Sequence, residues 1–390
     1  MSRKQVVLIE WIVLILLLAG LLGLGIFGIR RLISGRASDG NPQENGKETG
    51  RYEEEGDTKA SDTEDLTESI TVSPKEEEKE YSYTFSFAGD CTIGSLMEWQ
   101  GSMQGDFQSV VGTNYSYPLS GVRDIFSADD LTVVNLEGTF TNSVNAVGKP
   151  YRFKGDPAYV KVLTEGSVEA VSSANNHSGD FMEEGIADTI AALQAAGIRY
   201  TKAADPIIME LEGGLRLGIV SYNTVENLEG EAAWRASVQT DIAVCRQAGC
   251  NLIIGFMHWG TVEYLTKPED WEVAFAHDMV DWGCDLIVGG HAHILQRMEY
   301  YNNVPIFYSM GNFCYGGNLN PDDKDSVIVQ AEFTLDPDTG EVSRTGLRVI
   351  PCLISSRKDK NDYCPTPCAK DSADYSRILE RLEWTDPAGN

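Results

Sequence analysis

Leu286-Ile287-Val288-Gly289-Gly290-His291-Ala292-His293 is the stretch on which the reading of this chain turns. A short apolar run fits a buried strand. Two histidines one residue apart follow it, and a turn there can bring both imidazoles to one point. Such a pair is weak evidence alone, because many His-x-His pairs bind nothing. The same arrangement recurs along the chain, however. The apolar run 252–257 leads into His258-Trp259-Gly260, and 168–172 is soon followed by Asn175-Asn176-His177. The run 131–136 closes in Asn135-Leu136-Glu137, and 83–88 leads into Gly89-Asp90. Ligand sites in open α/β sheets gather at the carboxyl ends of strands, so five strand ends are expected to converge on one side.

Further strand candidates lie at 215–221, 306–309, 327–333 and 347–350, with helical patterns at 183–196, 232–248 and 271–282. Alternation of this kind implies an α/β fold with a largely buried sheet. The late strands are closer together and read as antiparallel. Of five histidines, His177, His258, His291 and His293 all fall in the strand-end set, and only His277 sits in a predicted helix. Imidazole, carboxylate and amide oxygen together suit a borderline divalent ion such as manganese, zinc or iron.

Residues 6–29 are almost uninterruptedly apolar, broken only by Glu10. Roughly 24 residues at about 1.5 Å each give about 36 Å, enough to cross a hydrocarbon core of about 30 Å. A signal peptide would have a shorter apolar region and an Ala-x-Ala-like cleavage site. An uncleaved transmembrane anchor within 1–36 is therefore expected. Arg3 and Lys4 before the span nearly balance Arg30, Arg31 and Arg36 after it, so charge does not set its orientation. Residues 37–80 are acidic and poor in large apolar side chains, the composition of a disordered tether.

The formal net charge of −28 sets nucleic acid aside as a partner. It also means that any polyanionic substrate needs a local cation at the site. Of the eight cysteines, Cys364 and Cys368 could close a small disulfide loop, with Cys352 as another candidate partner. No Gly-x-Ser-x-Gly elbow of a serine hydrolase occurs. The one Gly-x-Gly-x-x-Gly match, residues 23–28, lies in the expected membrane span and not in a strand-to-helix turn.

Phe87-Ala88-Gly89-Asp90, Asn135-Leu136-Glu137, Ser173-Ala174-Asn175-Asn176-His177, the run from His258 to Tyr264, Gly290-His291-Ala292-His293 and the run from Tyr308 to Phe313 together resemble the CapA/PgsA-type capsule synthesis proteins. These are similar to the calcineurin-like metallophosphatase superfamily, and the resemblance covers residues 81–354, leaving 355–390 as a C-terminal tail. It implies a sandwich of two packed mixed sheets flanked by helices, following the transmembrane helix. It implies that Asp90 binds a first metal with His293, that Glu137 bridges, and that Asn176, His258 and His291 hold a second. His177 would protonate a leaving group, with a metal-activated water as nucleophile.

Two positions depart from the pattern. Thr92 stands where the superfamily usually has a metal-binding His, which weakens the first site. Met182 replaces a usual Gly in the loop after His177. Asp180 is expected either to orient His177 or to cap the following helix. Glu263 either compensates for the lost ligand or is a surface carboxylate. Lys149, Arg152 and Lys154, which flank Tyr151 and Phe153, are expected at a cationic lip for an anionic polymer, although exposed loop cations are common. Trp259 is expected to stack on substrate or to pack in the core, and Asn312 to build a turn under the site.

The resemblance implies a metal-dependent protein of the cell membrane, its N-terminus cytoplasmic and its domain extracytoplasmic. It would act in synthesis or export of an anionic polymer such as poly-γ-glutamate, with membrane-bound polymer ligase subunits among its possible partners. The competing reading, which Thr92 favours, is a non-catalytic assembly or polymer-binding subunit with a structural or vestigial metal site.

Overall fold

Side chains alternate across the first long strand, Tyr81–Thr92, as a pleated backbone requires. Tyr83, Phe85 and Phe87 turn to one face and Ala88 to the other. A strand buried on both faces must lie between two layers, and the neighbouring strands repeat the pattern. The computed structural model describes residues 80–100, 102–225 and 230–385.

The first sheet runs from edge to edge through Thr366–Pro367, Val342–Leu353, Asp325–Leu335, Tyr81–Thr92, Leu131–Leu136, Ala170–Ser172 and Arg199–Thr201. Asn312–Tyr315 adds in parallel at the end of Tyr81–Thr92. The strands from Tyr81–Thr92 to Arg199–Thr201 are mutually parallel, and the two long late strands are antiparallel. The second sheet runs through Met298–Tyr301, Val304–Phe307, Leu286–Gly290, Leu252–His258, Arg216–Asn223 and Ile207–Glu210, parallel at its centre. A small third sheet joins Ser95–Leu96, Phe153–Gly155 and Thr139–Phe140.

The inner faces of the two large sheets share one core, with Phe85, Phe87, Val133, Val327 and Val329 meeting Leu217, Ile254, Phe256 and Val288. Truncating such a buried Phe to Ala costs about 3–5 kcal/mol. Helices cover both outer faces: Met182–Ala196 lies on the first sheet, and Glu231–Gln247 and Asp270–Asp281 on the second. On the second sheet this close approach needs a glycine. A Cβ on Gly218 would lie 2.8 Å from Cys245 Sγ. The expected two-sheet sandwich with flanking helices is thus the arrangement observed among the described residues.

The sequence places the domain's end at 354, but the chain packs onward to residue 385. Ile378 and Leu382, in and just after the helix Ala373–Arg381, are fully buried in the inter-sheet core. Arg377 and Arg381 of that helix both bind the buried carboxylate of Asp325, at 2.5 and 2.8 Å. All eight cysteines are free thiols. The expected anchor and most of the expected tether, residues 1–79, lie outside the described residues. No helix among the described residues is long and apolar enough to cross a membrane.

Candidate metal centre

The site is built where parallel strands of both sheets end. Asp90, near the end of Tyr81–Thr92, lies in register with Asn135 on one side and Asn312 on the other. His258 closes its strand in register with Gly290, which brings the His291 loop alongside. Gly290 is required there. A Cβ at that position would sit 2.3 Å from Asp90 Oδ1, and no side chain can share that space. Gly89 likewise meets the carbonyl of Gly311, which would lie 1.9 Å from its Cβ.

Asp90, Glu137 and His258 each offer one ligand atom, and the three atoms lie within 4.8 Å of one another. All three residues are buried. Glu137 stands amid three imidazoles, with Oε1 3.6 Å from His258 Nε2 and 4.0 Å from His177 Nε2, and Oε2 3.8 Å from His293 Nδ1. His293 Nδ1 is also 3.6 Å from Asp90 Oδ2 and 2.9 Å from Asn312 Oδ1. Asn176 Oδ1 is 2.8 Å from His258 Nε2. The His291 ring lies 5.0 Å from that of His258, and its backbone N–H donates to Asp90 Oδ2 at 3.1 Å. The six ligand residues expected from the sequence are therefore brought together.

Three physical features fit a divalent cation. Both oxygens of Glu137 and Nδ1 of His291 are buried with no hydrogen-bond partner, a costly state for groups removed from water. Burial, then the neighbouring charge of Asp90, pushes the Glu137 carboxyl well above its ordinary range, and burial raises Asp90 too. Burial and neighbouring imidazoles hold His258 well below the usual histidine range and His291 down to about 3. Neutral imidazoles and oxygens crowded against one another are a donor set that a cation would satisfy. His291 and His293 also hold positive φ values of 89° and 58°, each a strain on the order of 1–3 kcal/mol of the kind that collects at functional sites.

An asparagine lattice positions these groups. Asn135 Nδ2 donates to Asp90 Oδ1 at 2.8 Å and lies 3.2 Å from His258 Nδ1. Asn175 Nδ2 donates to Asn135 Oδ1 and to the Leu136 carbonyl, and its Oδ1 accepts from the His177 backbone N–H. Sequence reasoning passed over Asn135 and Asn175, although both lie inside the motifs it singled out. Asn312 bonds His293 at both ends of its amide, receiving at Oδ1 and donating from Nδ2 to the His293 carbonyl.

Asp180 orients His177: its Oδ2 lies 2.8 Å from His177 Nδ1 and accepts from the Phe153 backbone N–H at 2.7 Å. It does not cap the next helix, whose N-cap is Phe181 with no side-chain bond. Met182, where glycine was expected, has φ 54°, a left-handed position that explains the expectation. The hydroxyl of Thr92, at the position usually held by His, is buried without a partner.

The expected substrate contacts fare differently. Trp259 is buried; its Nε1 donates to the Tyr308 carbonyl at 2.8 Å and its ring packs on Tyr308. Its place is the core, so stacking on substrate is corrected. Of the expected cationic lip, Lys154 is buried and donates to the Ser143 carbonyl at 2.7 Å, while Lys149 and Arg152 each face a carboxylate. Lys149 Nζ lies 3.0 Å from Asp180 Oδ1, and Arg152 pairs with Glu98. Glu263 lines a pocket of about 180 Å³ together with His177, His293, Tyr151, Phe153 and Tyr264.

Residues 84–316 match the family described as bacterial capsule synthesis protein PGA_cap. The chain is 27% identical to the PGA biosynthesis protein CapA of Bacillus subtilis over 315 residues, 76% of this chain and 77% of that protein. It is 30% identical to the capsule biosynthesis protein CapA of Bacillus anthracis over 224 residues, 52% of this chain and 54% of that protein. Among solved structures it is similar to the calcineurin-like phosphoesterase YfkN from Bacillus subtilis. That match has 14% identity and a TM-score of 0.44, and covers 77% of this chain and 97% of the other.

Proposed function

The chain belongs to the bacterial capsule synthesis protein family, and on that premise we propose that it is a membrane-anchored, extracytoplasmic, metal-dependent hydrolytic component of the synthesis or export of an anionic capsule polymer, poly-γ-glutamate. One observation carries the metal dependence: both Glu137 oxygens are buried, unpartnered and ringed by the imidazoles of His177, His258 and His293. Asp90, Glu137, Asn176, His258, His291 and His293 would hold one or two divalent ions, which supply Lewis acidity and a water acidified toward neutral pH. The protein's own contribution is positioning. Asp180 fixes the His177 ring through Nδ1, leaving Nε2 directed toward Glu137 as a proton donor to a leaving group. The Asn135–Asn175 lattice holds Asp90 and the His177 loop in one frame. The apolar segment 6–29 supports the anchor, and the membrane-bound ligase subunits of polymer synthesis would be its partners.

Thr92 favours the second reading, a non-catalytic assembly subunit that keeps the metal for structure. The two part on His177→Ala in capsule-producing cells. The hydrolytic reading predicts that polymer output falls at least tenfold while metal content per chain is unchanged. Full output from this variant, with loss of output only when the anchor is removed, would leave the assembly reading.

A further inference from the structure

Large apolar side chains exposed on the domain include two tyrosines at the mouth of the site pocket, Tyr151 at 64% and Tyr264 at 57% exposure. Each is held at positive φ, 56° and 61°, a conformation uncommon for a bulky residue and retained only where the surroundings impose it. The two stand on different loops. Tyr264 donates its backbone N–H to the Ala292 carbonyl at 2.9 Å, between the two histidines of the His-x-His turn, and its ring lies 6.0 Å from that of His293. Tyr151 sits between Lys149 and Phe153. Lys149 reaches Asp180, and Phe153 both donates to Asp180 and packs its ring 4.4 Å from His177. One aromatic is thus tied to the metal-ligand loop and the other to the His177–Asp180 device.

The space behind them is small. At about 180 Å³ the pocket has room for one small unit and not for a long stretch of polymer. Glu263 lines this pocket, and the nearby cations Lys149 and Arg152 both face carboxylates. Successive carboxylates of a polyanion laid across the mouth would meet the Glu263 carboxylate, with Lys149 and Arg152 already engaged by Asp180 and Glu98.

We propose that the site takes its chain end-on, one terminal unit entering the pocket while Tyr151 and Tyr264 clamp the flat amide link behind it. This rests on the polymer reading above and specifies how the polymer is engaged. The two rings supply flat apolar contact at little entropic cost, as aromatic side chains with few rotatable bonds do.

The test is calorimetric binding to the full-length, manganese-loaded chain in detergent. The probes are a γ-linked glutamate trimer and long poly-γ-glutamate, both expressed per chain end. Tyr151→Asn and Tyr264→Asn remove each ring with a residue that tolerates positive φ, and Tyr→Phe at each position keeps it. Trimer and polymer should bind with equal affinity per end. Each Asn variant should weaken binding about three- to tenfold, each Phe variant by less than twofold, and manganese content should be unchanged in all four. Unchanged affinity in both Asn variants, loss of manganese from them, or polymer capacity that grows with the number of units would each overturn the clamp while leaving the polymer reading intact. A wild-type chain that binds neither probe would overturn the polymer reading and the clamp with it.

Discussion

Among the described residues Glu137 has no hydrogen-bond donor to either buried oxygen, and its pKa is raised first by burial and then by Asp90, against a smaller lowering pull from Lys149. A group with a raised folded pKa contributes stability that is lost as pH climbs through that value. Without metal, this position is therefore expected to cost progressively more stability as pH rises above the ordinary carboxylate range. Glu137→Gln removes the charge in nearly the same shape and should raise metal-free stability by about 1–3 kcal/mol. It should also abolish most of the thermal stabilisation that added manganese gives the wild type. Thermal unfolding with chelator and with manganese checks both halves; a variant less stable than wild type in chelator contradicts this. At this scale the candidate ligands were legible because chemistry-bearing residues follow strand after strand. Trp259 was ambiguous in the sequence, but the pleat decides it. His258 points into the site, so the next residue points to the opposite face and into the core.

Elements were legible in existence more than in extent. The run 83–88 proved to be the longer strand Tyr81–Thr92, because the ladder, after a bulge at Gly89, resumes at Asp90 and Cys91. Asn312–Tyr315 escaped notice, being four residues placed directly after Gly311 and secured by parallel pairing rather than by its own pattern. The helix Asp270–Asp281 began one residue before its expected start. It carries a capping box in which Glu269 and Glu272 satisfy each other's backbone N–H groups. Glu272 is buried, and burial pushes its pKa up to about 7 from an ordinary 4.5. Its stabilising contribution is whole below the ordinary carboxylate pKa and lost as pH rises through about 7. Glutamine keeps the cap, so Glu272→Gln should flatten the decline of stability across that window by up to about 3 kcal/mol. Urea midpoints in chelator at a series of pH values measure this, and an unaltered slope would refute the assignment.

The whole molecule places its chemistry by topology. Parallel strands of two packed sheets end on one side, and the candidate ligands Asp90, Glu137, His258, His291 and His293 meet there from loops distant in sequence. That convergence was legible because each strand end announced itself. The domain's C-terminal limit was not, because the helix Ala373–Arg381 reads as a short charged tail. Its arginines meet the buried Asp325, and Ile378 fills the core, only in the folded chain. If this convergence is a metal centre, elemental analysis of the purified full-length chain will find the ion. After reconstitution with manganese, zinc or iron, the chain should retain about one to two tightly bound ions. In His258→Ala they should be lost while circular dichroism stays that of the wild type. A folded wild-type chain that retains no divalent ion, or a variant that retains as many, would contradict it.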